Sequence, residues 1–202
     1  MNGATARNRA LWLLIVPAFL CCSCVYYGGC GTMARYERQV ELSAPLASGL
    51  SFTAETRDGS IVAEGMETDE CRVVATIVTH ARTIEGAEEL AEQIAVRLQS
   101  SNAGVETVIE KPPIIRNAGY SVSLAVQIPT QTALRLVSSD GSIRTAGIVG
   151  RVEARTSDGS IHIEDVQGDV KLKTSDGSIT CARVNAEDRK STRLNSSHRL
   201  RS

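Results

Sequence analysis

Between residues 130 and 185, apolar and polar positions alternate in short runs, and the runs recur every 18 residues. Leu134, Val152 and Val170 superimpose at that step. So do Leu136, Ala154 and Leu172, then Ile143, Ile161 and Ile179, then Ile148, Val166 and Val184. Polar residues such as Arg135, Glu153 and Lys171 stand between them. Alternation with period two is the pattern of a strand with one buried and one wet face. The runs are joined by Asp140-Gly141, Asp158-Gly159 and Asp176-Gly177, and a second turn falls near Gly150 and Gly168. Asp-Gly suits a tight turn because Gly adopts positive φ freely and Asp tolerates it. Each unit therefore reads strand, Asp-Gly turn, strand, Gly turn. A fixed period marks one small unit stacked on itself.

Two architectures fit that unit. In a β-solenoid each unit is one coil, and neighbouring coils pair in parallel about 4.8 Å apart. In an antiparallel meander or sandwich each Asp-Gly is a hairpin tip. The flanks repeat residue by residue: Leu136-Val-Ser-Ser-Asp-Gly-Ser-Ile, Ala154-Arg-Thr-Ser-Asp-Gly-Ser-Ile, Leu172-Lys-Thr-Ser-Asp-Gly-Ser-Ile. Stacked identity favours the solenoid, with Ser138, Thr156 and Thr174 as an inward hydroxyl ladder. A hairpin needs no such matching. The expected fold is mainly β, one domain of 18-residue coils with one amphipathic helix.

A fourth copy, Asp58-Gly59-Ser-Ile, lies 82 residues before Asp140. Strand patterns flank it at Leu50–Thr56 and Val73–Val78. The helix is expected from Glu85 to Gln99, where Ala87, Leu90, Ala91, Ile94, Ala95 and Leu98 form one stripe. It should cover an open end or face of the β structure. Lys111-Pro-Pro ends the preceding element, and Tyr120–Pro129 alternates as a strand.

The two ends read differently. Arg7 and Arg9 precede the apolar run Leu11–Leu20, which leads into Cys21-Cys-Ser-Cys. This resembles a bacterial lipoprotein signal, with cleavage after Ser23 and lipid attachment at Cys24. An uncleaved apolar anchor is the other reading. Both place the domain outside the inner-membrane barrier. From Asp188 onward the repeat stops, and Asp188 to His198 resembles the translation of a common sequencing adapter. The expected organisation is a signal peptide at 1–23, a tether at 24–39, the β domain at 40–187 with further coils missing, and a non-native tail at 188–202.

Without signal and tail, 15 basic residues face 22 acidic ones, a net charge near −7. That argues against nucleic acid and against an anionic membrane surface. Past the tether the aromatics are Tyr36, Phe52 and Tyr120, too few for an aromatic binding platform. Of the cysteines that would remain after lipidation, Cys181 shares the inward column of Thr145 and Ile163 and reads as core. A Cys71–Cys181 disulfide is open after export, and Cys30 has no spacing partner.

Asp58, Asp140, Asp158 and Asp176 are the candidate chemical groups. A carboxylate row could bind calcium or do acid–base work. However, a residue repeated in every coil serves the coil, and Asp before Gly is ordinary turn chemistry. His80 and His162 lie far apart, and His162 falls at an outward position. No spacing of ligands or nucleophiles points to a metal, a cofactor or a catalytic residue.

The lipoprotein-like start, the Val126-Gln127-Ile128-Pro129 lead-in and the serial Ser/Thr-Ser-Asp-Gly-Ser-Ile units resemble the bacterial putative-adhesin β-solenoid family over roughly Val40 to Val184. The resemblance implies a family largely of unknown function, with no catalytic residues to carry over. The expected function is a non-enzymatic envelope lipoprotein, an adhesin-like scaffold in the periplasm or at the cell surface. It would meet an unidentified protein or envelope partner and touch the membrane through its lipid anchor only. The alternative is a carbohydrate-active β-helix enzyme whose site lies in missing coils.

Overall fold

The computed structural model describes residues 33–112 and 118–185. The signal peptide, the lipidated Cys24, Cys30 and the tail at 188–202 lie outside the described residues. The chain forms β1 (Ala34–Pro45), β2 (Ser51–Glu55), β3 (Ile61–Met66), β4 (Glu70–Ala81), α1 (Ile84–Glu92), β5 (Ala95–Ser101) and β6 (Gly104–Glu110). It continues with β7 (Gly119–Pro129), β8 (Ala133–Val137), β9 (Ile143–Val149), β10 (Val152–Arg155), β11 (Ile161–Gln167), β12 (Val170–Lys173) and β13 (Ile179–Asn185). β1 begins at Ala34, inside the stretch read as tether.

The strands make two mixed sheets. The larger runs β1-β4-β7-β3-β9-β11-β13, and the smaller runs β12-β10-β8-β2-β6-β5. The repeat strands alternate between the two, so each unit gives one strand to each sheet. β8, β10 and β12 pair in parallel, with Leu134, Val152 and Val170 in register. β9, β11 and β13 do the same through Ile143, Ile161 and Ile179. The Asp-Gly turns therefore carry the chain from one sheet to the other, and the hairpin reading of these turns is corrected. Parallel partners need a connection longer than a two-residue hairpin, and the opposite sheet supplies it.

The first Asp-Gly copy joins this stack directly. β2 pairs in parallel with β8, Ala54 beside Leu136, and β3 pairs with β9, Ile61 beside Ile143. On its other side β2 pairs with β6 and β3 with β7. Five layers result, in the spatial order β6/β7, β2/β3, β8/β9, β10/β11, β12/β13. The inward columns of both sheets merge into one core that includes Phe52, Ile61, Leu124, Leu136, Ile143 and Ile161, each at most 1% exposed.

Antiparallel strands and the helix close the end beyond β6/β7. β4 pairs with β7 and β1 with β4 in the larger sheet, while β5 pairs with β6 in the smaller. α1 packs on β1 and β4 with Ala87, Leu90 and Ala91 buried. The Thr83 hydroxyl caps its start by accepting from Gly86 N at 3.1 Å, and the Thr79 hydroxyl ties it to β4 by donating to Ala87 O at 2.6 Å. The helix stops at Glu92, not Gln99. Ile94-Ala-Val-Arg-Leu satisfies the helical period and the strand period alike. Pairing with β6 covers an edge that would otherwise stay open, so Ala95 to Ser101 becomes β5.

Candidate functional site

The four Asp-Gly turns stand in one row along the edge where the two sheets meet. Backbone bonds set their spacing. Asp140 N donates to Arg57 O at 2.9 Å, Asp158 N to Ser139 O at 3.0 Å, and Asp176 N to Ser157 O at 2.9 Å. Beneath them runs the hydroxyl ladder. The Ser138 hydroxyl donates to Gly59 O at 3.0 Å and accepts from Gly141 N at 3.0 Å. Thr156 donates to Ser139 O and Gly141 O and accepts from Gly159 N. Thr174 repeats the pattern one layer on, with Ser157 O, Gly159 O and Gly177 N. Thr56 extends it backwards by donating to Val122 O at 2.7 Å.

The glycines of this row serve close approach and not positive φ, which corrects the turn argument made from sequence. The glycines with positive φ are elsewhere, at the second turns: Gly150 (φ 153) and Gly168 (φ 125). A Cβ on Gly141 would stand 1.8 Å from Gly59 O, one on Gly159 2.1 Å from Gly141 O, and one on Gly177 1.9 Å from Gly159 O. Each glycine therefore lets the next layer's backbone settle on its own. At Gly59 the neighbouring carbonyl is that of Val122, at 1.8 Å. So the edge of the β6/β7 layer is read by the same rule, although it has no Asp-Gly.

The carboxylates feel one another. Desolvation, then the charges and hydrogen bonds of Asp140 and Asp176, push the Asp158 carboxyl above its ordinary pKa. Desolvation and the neighbouring Asp140 raise Asp58 as well, against Arg57 and Lys111. Among the described residues, no three His, Cys, Asp or Glu side chains converge as metal ligands. A straight row offers each cation two neighbours at most, whereas calcium takes six to eight oxygens.

The other candidates separate. Cys71 is buried in β4 and Cys181 is exposed on β13; both are free. Five strand steps divide them in the larger sheet, about 24 Å at the interstrand spacing, so no disulfide joins them. Cys181 does stand in register with Ile163 and Thr145, but the core reading is corrected. β13 is an edge strand, and no described strand lies on its far side. His162 is outward as expected, its side chain 42% exposed and its Nε2 3.8 Å from Glu164 Oε2. His80 sits in β4 beside Arg35 of β1 and Gly119 of β7.

Sequence reasoning missed two features. One is the adjacency of Asp58 and Asp140, for which the shared Asp-Gly-Ser-Ile was itself the signal. The other is a left-handed column at Gly147, Asp165 (φ 51) and Arg183 (φ 50). Arg183 reaches back one layer, its Nε donating to Asp165 Oδ1 at 2.5 Å and its Nη2 pairing with Glu164. The Arg183 guanidinium holds the Asp165 carboxyl below its usual range.

No protein-family model and no curated protein matches the chain. Two solved structures resemble it in fold. A "putative cell adhesion protein" from Clostridium sporogenes is 8% identical with a TM-score of 0.40, the match covering 71% of this chain and 99% of that one. A "putative adhesin" from Parabacteroides merdae is 7% identical with a TM-score of 0.45, over 73% of this chain and 57% of that one.

Proposed function

We propose that this protein is an exported, lipid-anchored β-solenoid of the cell envelope, a non-catalytic scaffold that offers its outer faces to a protein or envelope partner. The parallel, in-register pairing of successive 18-residue units carries the reading. Such a stack repeats each outward side chain at one spacing and builds an extended surface from a short unit. On the smaller sheet Arg135, Glu153 and Lys171 form one outward column, with Glu153 3.6 Å from Arg135 and 3.3 Å from Lys171. Solvated pairs of this kind contribute little to stability, which leaves them free for specificity toward a partner.

Two measurements test it. Cells making the full chain are fed a labelled fatty acid and fractionated. Label should enter the wild type in the membrane fraction and be absent from Cys24→Ser; an unlabelled wild type rejects the anchor. The released Cys24→Ser protein is then mixed with isolated cell envelopes and, separately, with a panel of polysaccharides. Saturable retention on envelopes without release of sugar ends is the expected result. Turnover of any polysaccharide overturns the non-catalytic reading.

A further inference from the structure

One layer breaks the repeat. Four layers turn through Asp-Gly, but β6 and β7 are joined by the longer connection 111–118. There the sandwich end opens into a hollow of about 410 Å³, within the usual range of small-molecule sites. Thr107, Ile109 and Val122 line it from the inward columns. Thr107 is 4% exposed, and its hydroxyl is buried without a hydrogen-bond partner. It stands beside Ala54, in the column that continues to Leu136. By contrast Thr56, Ser138, Thr156 and Thr174 all have partners. A buried hydroxyl left unpaired is costly, and here it borders a hollow.

The charged residues around it come in two sets. Arg57 and Lys111 belong to the connections, while Glu55 and Glu106 belong to the smaller sheet. Arg57 lies 3.9 Å from Asp58 and keeps 69% of its side chain exposed. Lys111 Nζ sits 5.5 Å from the Tyr120 ring centroid, so a cation and one of the few aromatic rings share the rim. A second hollow of about 370 Å³ shares Arg57, Lys111 and Tyr120 with the first.

We infer that this hollow binds an acidic sugar unit, a ring with several hydroxyls and one carboxylate. The carboxylate faces Arg57 and Lys111, which donate charge-assisted hydrogen bonds. Ligand hydroxyls donate to Glu55 and Glu106, and one pairs with Thr107. A neutral sugar leaves both cations unused. A dianionic phosphate meets repulsion from Glu55, Glu106 and Asp58. The site goes beyond the scaffold reading and stands or falls without it, because it uses a layer where the repeated surface is interrupted.

The test is an amide-shift titration of the full-length protein with D-glucuronate, D-glucose and inorganic phosphate in turn. Glucuronate should give saturable shifts at Thr107 and Tyr120, with glucose and phosphate at least about tenfold weaker, a difference of about 1.4 kcal/mol. Arg57→Gln with Lys111→Gln should lose about tenfold in glucuronate affinity. Thr107→Val should lose affinity while its melting temperature holds or rises, since no folded-state partner is lost. Glucose binding as well as glucuronate, phosphate binding more tightly, shifts confined to the Asp-Gly edge, or full affinity in Thr107→Val would each overturn the assignment.

Discussion

Ile161 has no exposed surface and lies between Ile143 and Ile179 in the larger sheet. Ile161→Ala should cost about 2–5 kcal/mol in urea unfolding, the range for opening a cavity in a packed core. Ile179→Ala in the half-covered outer layer should cost well under that, because its site can collapse. Glycine effects sort by the same logic of space. Gly159→Ala drives a Cβ to 2.1 Å from Gly141 O, a backbone atom with nowhere to go. A loss of about 3 kcal/mol or more is expected, at or past the top of the usual overpacking range. Gly49→Ala meets nothing within 4 Å and carries only the strain of φ +87, about 1 kcal/mol. Equal losses at the two sites would show that conformation, and not stacking distance, selects the edge glycines. The carboxylate row has its own signature in pH. The folded pKa of Asp158 is raised, so the folded protein takes up the proton first as pH falls. The penalty of the charged row is fully present at neutral pH. It fades as pH drops through that raised pKa and is gone below the ordinary aspartate value of about 4. Asp158→Asn should therefore melt slightly above wild type at pH 7, and the gap should close toward pH 4. A mutant that melts lower at pH 7, with calcium stabilising only the wild type, would make the row a cation site.

At the scale of the element, the edge is a hydroxyl-braced turn. Thr156 bridges two layers through three hydrogen bonds. Thr156→Val keeps the shape but strands the Gly159 N–H, which has little access to water. The expected loss is about 1–3 kcal/mol, and Thr156→Ser should recover most of it. No recovery with Ser would mean that the methyl contact, and not the hydroxyl, holds the turn. The helix shows how an element can be legible in kind and wrong in extent. Ala87, Leu90 and Ala91 mark its buried face. Past Gln93, the stripe that looked helical serves a strand, because Val96 and Leu98 also alternate and β6 offers hydrogen bonds along its whole edge.

At the scale of the molecule, the two ends of the stack differ. One is covered by β1, β4, α1 and β5, and the other presents β12 and β13, whose inward residues Leu172, Ile179 and Val184 are only partly buried. Opening should therefore start at β12/β13. Native-state hydrogen exchange should find the amides of β12 and β13 fastest and those of Ile61, Leu124 and Ile143 slowest. Protection that is uniform from β13 to β3 would instead make the stack one cooperative unit.

The 18-residue period by itself determined the strands, the turns, the four aliphatic columns and the hydroxyl ladder from Leu134 to Val184, because a stacked unit meets only its neighbours and its contacts repeat with its sequence. The tertiary structure alone decided the rest. It seated the Asp58 layer against Asp140 across 82 residues, with β6 and β7 on its far side. Parallel pairing is a contact between distant segments, and chain order does not rank the possible neighbours. It also left Cys181 exposed although its column is buried one layer back. A period tells which way a side chain points, while burial depends on what lies against it.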